Sequence, residues 1–167
     1  KEAVDAAQAG DTVTVLADFV VDNGNMGITF TKGINLVNNY TITVDGANYA
    51  FRIANGTTTP VTLNGTGSIV WTKGNGSPIL VGCNEIKSSY GVTSYCDGSF
   101  VLNGNTLTST DATAKGGNLV KLESGTFTMN GGTVNGGTRG VKADSEGNNA
   151  TCVLTINGGT IVNTNYS

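Results

Sequence analysis

Ser99-Phe-Val-Leu-Asn-Gly-Asn-Thr-Leu107, Thr126-Phe-Thr-Met-Asn-Gly-Gly-Thr-Val134 and Val153-Leu-Thr-Ile-Asn-Gly-Gly-Thr-Ile161 are three writings of one phrase. Their anchor asparagines, Asn103, Asn130 and Asn157, recur every 27 residues. A fixed period of roughly 20 to 50 residues marks a chain that stacks one supersecondary unit on the next, because a single unit cannot bury its own apolar face. Val61-Thr-Leu-Asn-Gly65 carries the same phrase. From Asn64 to Asn103 the interval is 39 residues, one period plus an insertion of 12. The insertion is expected between Gly82 and Asp97, where the polar stretch Glu85 to Tyr95 breaks the rhythm.

A second landmark shares the period. Phe51-Arg-Ile53, Val120-Lys-Leu122 and Val141-Lys-Ala143 read apolar, basic, apolar, and the last two run on to Glu123-Ser124 and Asp144-Ser145. Each coil therefore holds one strand with an outward cation, a second leading into Asn-Gly-Gly, and a third that begins just after it. Three short strands per coil close a triangular prism whose successive coils pair in parallel, about 4.8 Å apart. The expected fold is all-β, a parallel β-helix of about six coils in a single domain over residues 1–167, with residues 83–96 as a loop insertion. Hairpin meanders would show turns every 8 to 12 residues and no longer register. Asn64, Asn103, Asn130 and Asn157, with Gly65, Gly104, Gly131 and Gly158, are assigned as corner residues, the asparagines in ladders. Before the first coil, Lys1 to Gly10 places Ala3, Val4, Ala6 and Ala7 on one stripe and stops at a glycine, as a short capping helix would.

Composition narrows the function. The chain has 167 residues, 25 glycines, a formal net charge of −3 and no histidine. Without histidine the commonest general base and the usual Ser and Cys triads are missing. Without a basic surplus there is no footprint for a phosphate backbone, so nucleic acid is not an expected partner. No apolar run approaches the roughly 20 residues a membrane helix needs, so membrane insertion is not expected either. The chain reads as a piece of a longer protein with further domains. Cys83 and Cys96 bracket the insertion and would close a disulfide in an exported chain; three buried thiols, with Cys152, are the alternative.

The opening KEAVDAAQAGDTVTVLAD (residues 1–18) resembles the first helix and strand of the pectate-lyase-like adhesive domains of bacterial surface proteins, and GTFTMNGGTV and CVLTINGGTI are similar to the coils that follow there. The resemblance implies a right-handed parallel β-helix and an extracellular or cell-surface location. Lyases on this scaffold hold calcium with acids on neighbouring coils and abstract a proton with Arg or Lys. The corresponding candidates are Lys121, Lys142, Arg139, Glu123 and Asp144, with Glu146 nearby. Glycosidases would need paired acids such as Asp97 and Asp111.

Outward strand positions need polar residues in any case, so the charges are explained as a solvated face and no catalytic residue is assigned. No cofactor or metal is expected; calcium would enter only with the lyase reading. Thr-x-Thr pairs sit at different phases relative to the anchor and are read as exposed strand residues rather than a flat array. Ligand-binding candidates are the rings of Trp71, Tyr40, Tyr49, Tyr90 and Tyr95, with Asp97; Tyr90 and Tyr95 lie on the insertion, where a solenoid places its specialised surface. The expected function is non-catalytic adhesion or display, with a glycan or a cell-surface component as partner; the alternative is a carbohydrate-active enzyme, a calcium-assisted lyase or a glycosidase.

Overall fold

The computed structural model describes residues 1–22, 27–56, 59–73, 76–87, 93–110, 117–144 and 151–162, with backbone only for 83–87 and 93–96. Three parallel sheets wind around one core. The first contains β1 (Thr12–Thr14), β4 (Asn35–Val37), β7 (Val61–Asn64), β12 (Gly98–Leu102), β15 (Gly125–Met129) and β18 (Cys152–Ile156). The second contains β2 (Phe19–Asp22), β5 (Thr41–Asp45), β8 (Ser68–Lys73), β13 (Thr106–Ser109), β16 (Thr133–Asn135) and β19 (Thr160–Val162). The third contains β3 (Ile28–Phe30), β6 (Phe51–Ile53), β9 (Ile79–Val81), β14 (Asn118–Leu122) and β17 (Arg139–Ala143). This is a parallel β-helix, one strand per sheet per coil.

Alternation puts every second side chain inside, and parallel register stacks like on like. Val61, Phe100, Phe127 and Leu154 form one inward column, and Leu36, Leu63, Leu102, Met129 and Ile156 another. Phe100 and Phe127 stack with centroids 5.6 Å apart, while Phe30 and Phe51 meet edge to face at 5.4 Å. Such aromatic pairs contribute about 0.5–1.5 kcal/mol beyond their area burial.

The corner from the first sheet to the second holds the register. From the second coil onward it is three residues long: 38–40, 65–67, 103–105, 130–132 and 157–159. Asn103 Nδ2 donates to Asn64 Oδ1 at 2.9 Å, Asn130 to Asn103 at 2.9 Å, and Asn157 to Asn130 at 2.8 Å. The 39-residue interval therefore closes in register.

The glycines divide the work in a way the repeat did not indicate. Gly65 has φ +99°, but in the next three coils the left-handed residue is the one after the expected glycine: Asn105 (φ 70°), Gly132 (φ 84°) and Gly159 (φ 92°). Gly104, Gly131 and Gly158 serve close approach instead. A Cβ at Gly131 would lie 2.6 Å from Asn103 O, and one at Gly158 2.7 Å from Asn130 O.

Asn105 also fastens the interior of this corner. It is 4 % exposed, its Oδ1 accepts from Asn38 Nδ2 at 2.7 Å, and its Nδ2 donates to Asn64 O at 2.8 Å and Gly65 O at 3.1 Å. Asn38, fully buried, accepts the Tyr40 amide at 3.1 Å. Buried amides are tolerated because their polar atoms are paired.

The other corners vary. Between the third sheet and the first, the connections are residues 31–34, 54–60, 82–97, 123–124 and 144–151. Residues 82–97 contain the insertion, which is not a loop: β10 (Cys83–Lys87) pairs antiparallel with β11 (Thr93–Cys96). The capping helix is shorter than expected. α1 spans Glu2–Ala6 and ends at an extended Ala7, while Gly10 (φ 89°) turns the chain into the first coil, its amide donating to Gly33 O at 2.8 Å. Val4 enters the core, and Lys32 Nζ ties Asp5 O to the second coil at 2.9 Å.

Asn105→Ala should lower stability in urea unfolding by about 2–3 kcal/mol, since it strands the Asn38 amide, roughly 1–3 kcal/mol, and replaces an asparagine, which tolerates left-handed backbone, by an alanine, which tolerates it less, up to about 1 kcal/mol. Asn105→Gly should recover the second part only. Equal losses in the two variants would show that the backbone conformation is unimportant.

Candidate functional site

Charge is distributed unevenly over the three sheets. The six strands of the first sheet carry no charged residue, whereas those of the third carry Arg52, Lys121, Arg139 and Lys142. Register lines up Thr29, Arg52, Leu80, Lys121 and Lys142 in one outward column, so the apolar-basic-apolar landmark falls on one face as expected. Arg139 lies opposite Asn118.

The acids are local partners of the lysines. Lys121 Nζ meets Glu123 Oε1 at 2.6 Å, and Lys142 Nζ pairs with Asp144. In both pairs the acid is two residues further along the chain, so each sits beside its lysine on the outward side. Among the described residues no three of Cys, Asp and Glu converge to hold a cation.

Next to this column lies a groove of about 380 Å³, lined by Asn48, Tyr49, Ser77, Asn118, Lys121 and Glu123, among others. Tyr49 is half-buried and, with Leu80, lines a mostly polar wall. Asn118 is 5 % exposed, and its buried Oδ1 has no hydrogen-bond partner among the described residues. Arg52 Nε, in the same column, is also buried with no partner among the described residues. An unsatisfied buried amide costs about 1–3 kcal/mol. A second cavity, of about 410 Å³, lies beneath α1; its walls of Val4, Val13, Val15, Phe19 and Val21 are apolar and fit an incompletely filled end of the core.

The ligand-binding candidates fare differently. Trp71 is corrected: it is fully buried, its indole Nε1 donates to Lys73 O at 2.7 Å, and it offers no face to a ligand. Asp97 is exposed at the base of the hairpin, with its carbonyl accepting the Gly56 amide at 3.0 Å. Tyr90, Asp111 and Glu146 lie outside the described residues, as does the side chain of Tyr95. The backbones of Cys83 and Cys96 are register partners across the hairpin.

Asn48, Ser77 and Asn118 were not anticipated. Each lies at the end of a second-to-third-sheet connection or the strand after it, and no repeated phrase marks them.

The Thr-x-Thr pairs need one correction: Thr41/Thr43 and Thr106/Thr108 share the second sheet, with Ser68/Val70 between them, so those two pairs have one phase. The remaining pairs divide between the other sheets.

Cys152 is the free thiol among the described residues, half-buried, its Sγ donating to Leu122 O at 3.4 Å. Burial pushes its pKa up, and the charges of Asp144, Glu123 and Asp97 push the same way, against a backbone hydrogen bond at Asp144 that lowers it.

Compared with known protein families, curated proteins and solved structures, the chain matches none. The chemistry of the site is therefore read from its own atoms. Because the Cys152 thiol is raised, its thiolate fraction at any given pH is below that of a free cysteine, whose pKa is about 8.5. Iodoacetamide should alkylate it several-fold more slowly than a model thiol at pH 8, with the rate still rising above that value. Peptide mapping reads this out, and an ordinary or lower midpoint would contradict it.

Proposed function

We propose that the chain is a non-catalytic domain of a secreted or surface-attached bacterial protein, serving adhesion or display, and that it contacts carbohydrate through the groove on the third sheet. The observation that carries this reading is the groove itself, which brings an amide, an ammonium, a carboxylate, a hydroxyl and a tyrosine ring to one place, with the Asn118 amide oxygen lacking a partner among the described residues. A sugar presents the complement, hydroxyls that donate and accept together with an apolar ring face. The pairing of each lysine with its own strand's acid supports binding rather than catalysis, because proton abstraction needs a base aimed at substrate. The likeness of the opening to pectate-lyase-like adhesive domains supports the surface role.

A glycan array should show binding that falls at least tenfold in Asn118→Ala and in Lys121→Ala and is unchanged in Thr128→Ala on the first sheet. Retention of no glycan would overturn the carbohydrate reading, and calcium-dependent release of unsaturated sugar from an acidic polysaccharide would overturn the non-catalytic one.

The same proposal places the chain in an oxidising compartment. Register partners in an antiparallel pair have Cα atoms about 4.5–5.5 Å apart, within the roughly 4.4–6.8 Å a disulfide spans. Protein recovered from an oxidising compartment should yield a peptide linking Cys83 to Cys96, two hydrogens lighter than its reduced halves, with Cys152 free. Three free thiols would contradict the expectation.

A further inference from the structure

The corner that carries the ladder is built from a reactive dipeptide. It needs an asparagine to pair along the axis and, at Gly104, Gly131 and Gly158, a residue without a Cβ beside a carbonyl of the preceding coil. Asn-Gly occurs eight times in the sequence, and four of these are the rungs Asn64, Asn103, Asn130 and Asn157. Asparagine is thermolabile, most of all before glycine, whose lack of a side chain lets its nitrogen approach the residue before it. The glycine nitrogen bonds to the asparagine Cγ while its proton passes through water to Nδ2; the Cγ–Nδ2 bond breaks and ammonia leaves. Water then opens the cyclic imide at either carbonyl. The product is aspartate or, with the chain rerouted through the side chain, isoaspartate.

Two solvent-exposed Asn-Gly pairs of one coil, at Asn130 and Asn135, differ in what holds the side chain. Asn130 Nδ2 donates to Asn103 Oδ1 at 2.9 Å, and its Oδ1 accepts from Asn157 Nδ2 at 2.8 Å. Both bonds join neighbouring coils along the rod axis, whereas the Gly131 nitrogen lies along the chain, so Cγ cannot turn to it without giving up both. Asn103, also exposed, is held in the same way between Asn64 and Asn130. Asn135, at the end of β16, has Thr108 and Val162 as register neighbours, and its side chain has no hydrogen-bond partner among the described residues. The backbone ranks the same sites in the opposite order. The Gly136 amide donates to Val162 O at 2.9 Å and the Gly131 amide to Leu102 O at 3.3 Å, while the Gly104 amide has no acceptor among the described residues.

We infer that Asn103 and Asn130 are modification sites gated by the stacking. The ladder withholds them from imide formation while the coils are paired, and a coil that stays open long enough to react is permanently altered. An ionised aspartate in a rung has no N–H to donate to the Oδ1 of the coil before, which sets two acceptors against each other. Isoaspartate adds a methylene to the main chain at a corner where a Cβ on Gly131 would already lie 2.6 Å from Asn103 O. Conversion of Asn135 disturbs neither the ladder nor that close approach.

The test incubates the chain in mildly alkaline buffer, folded and in urea, and follows each site by peptide mass spectrometry. The ratio of folded to urea rate should be at least about tenfold smaller at Asn103 and Asn130 than at Asn135, because the rungs react only from locally opened coils. Asn103→Ala, which removes the acceptor of Asn130 Nδ2, should raise the rate at Asn130 and leave that at Asn135 unchanged. A variant that fails to fold would show itself by moving Asn135 to its urea rate, and the unsubstituted chain then decides alone. On removal of urea, molecules converted at a rung should stay unfolded, while those converted only at Asn135 should refold. Equal ratios at the three sites would overturn the inference, as would Asn103 reacting first in the folded chain, the order the backbone bonds alone would set. Full refolding of rung-converted chains would overturn the permanence of the change.

Discussion

In-register parallel stacking is the interaction on which everything else depends. Each coil places its side chains directly over those of the coil before, so one choice of residue at a corner or an inward site is repeated as a column. A shift by one residue would exchange inside for outside in every strand of the coil. The three-residue corner from the first sheet to the second prevents that shift. Its Asn ladder fixes adjacent coils along the axis, and in the last three coils its left-handed third residue turns the chain and its middle residue lacks a Cβ because the preceding coil's carbonyl lies too close. Asn38 and Asn105 reinforce the corner from within, at the depth where an amide is acceptable only if paired on both sides.

The fold was legible because stacking writes itself into sequence as a period. The 27-residue spacing of Asn103, Asn130 and Asn157, the 12-residue excess before Asn103, and the apolar-basic-apolar landmark all became columns. The site was much less legible. Trp71 in sequence is an aromatic residue in a polar neighbourhood; in space, alternation within β8 turns it inward. Asn118 and Tyr49 are separated by long stretches of chain and meet because each lies two residues before one of the register partners Phe51, Ile79 and Val120. A period can predict what repeats, and Asn48, Ser77 and Asn118 belong to what does not. The helix fell short of Gly10 for a similar reason: its stripe of Ala3, Val4, Ala6 and Ala7 was visible, but the turn needed to reach the first strand was not.

Variation is confined by the same architecture. With one corner nearly constant, only one residue longer in the third coil than in the next, the larger length differences collect at the other two, and the largest, the β10–β11 hairpin, emerges where the third sheet passes to the first. The lysine–acid pairs border that same edge. Specific chemistry can therefore change there, coil by coil, without disturbing the ladder on the far side.

The charge-free first sheet has a further consequence. A rod whose strand charges are absent from the first face, mixed on the second (Asp22, Asp45 and Lys73) and all cationic on the third is electrically lopsided even though the whole chain is slightly acidic. Brought near an anionic surface at low ionic strength, such a rod experiences a torque as well as an attraction, and it settles with the third sheet inward and the first sheet outward. The asymmetry sets which face a neighbour meets before any contact forms, and salt releases that preference without loosening the rod.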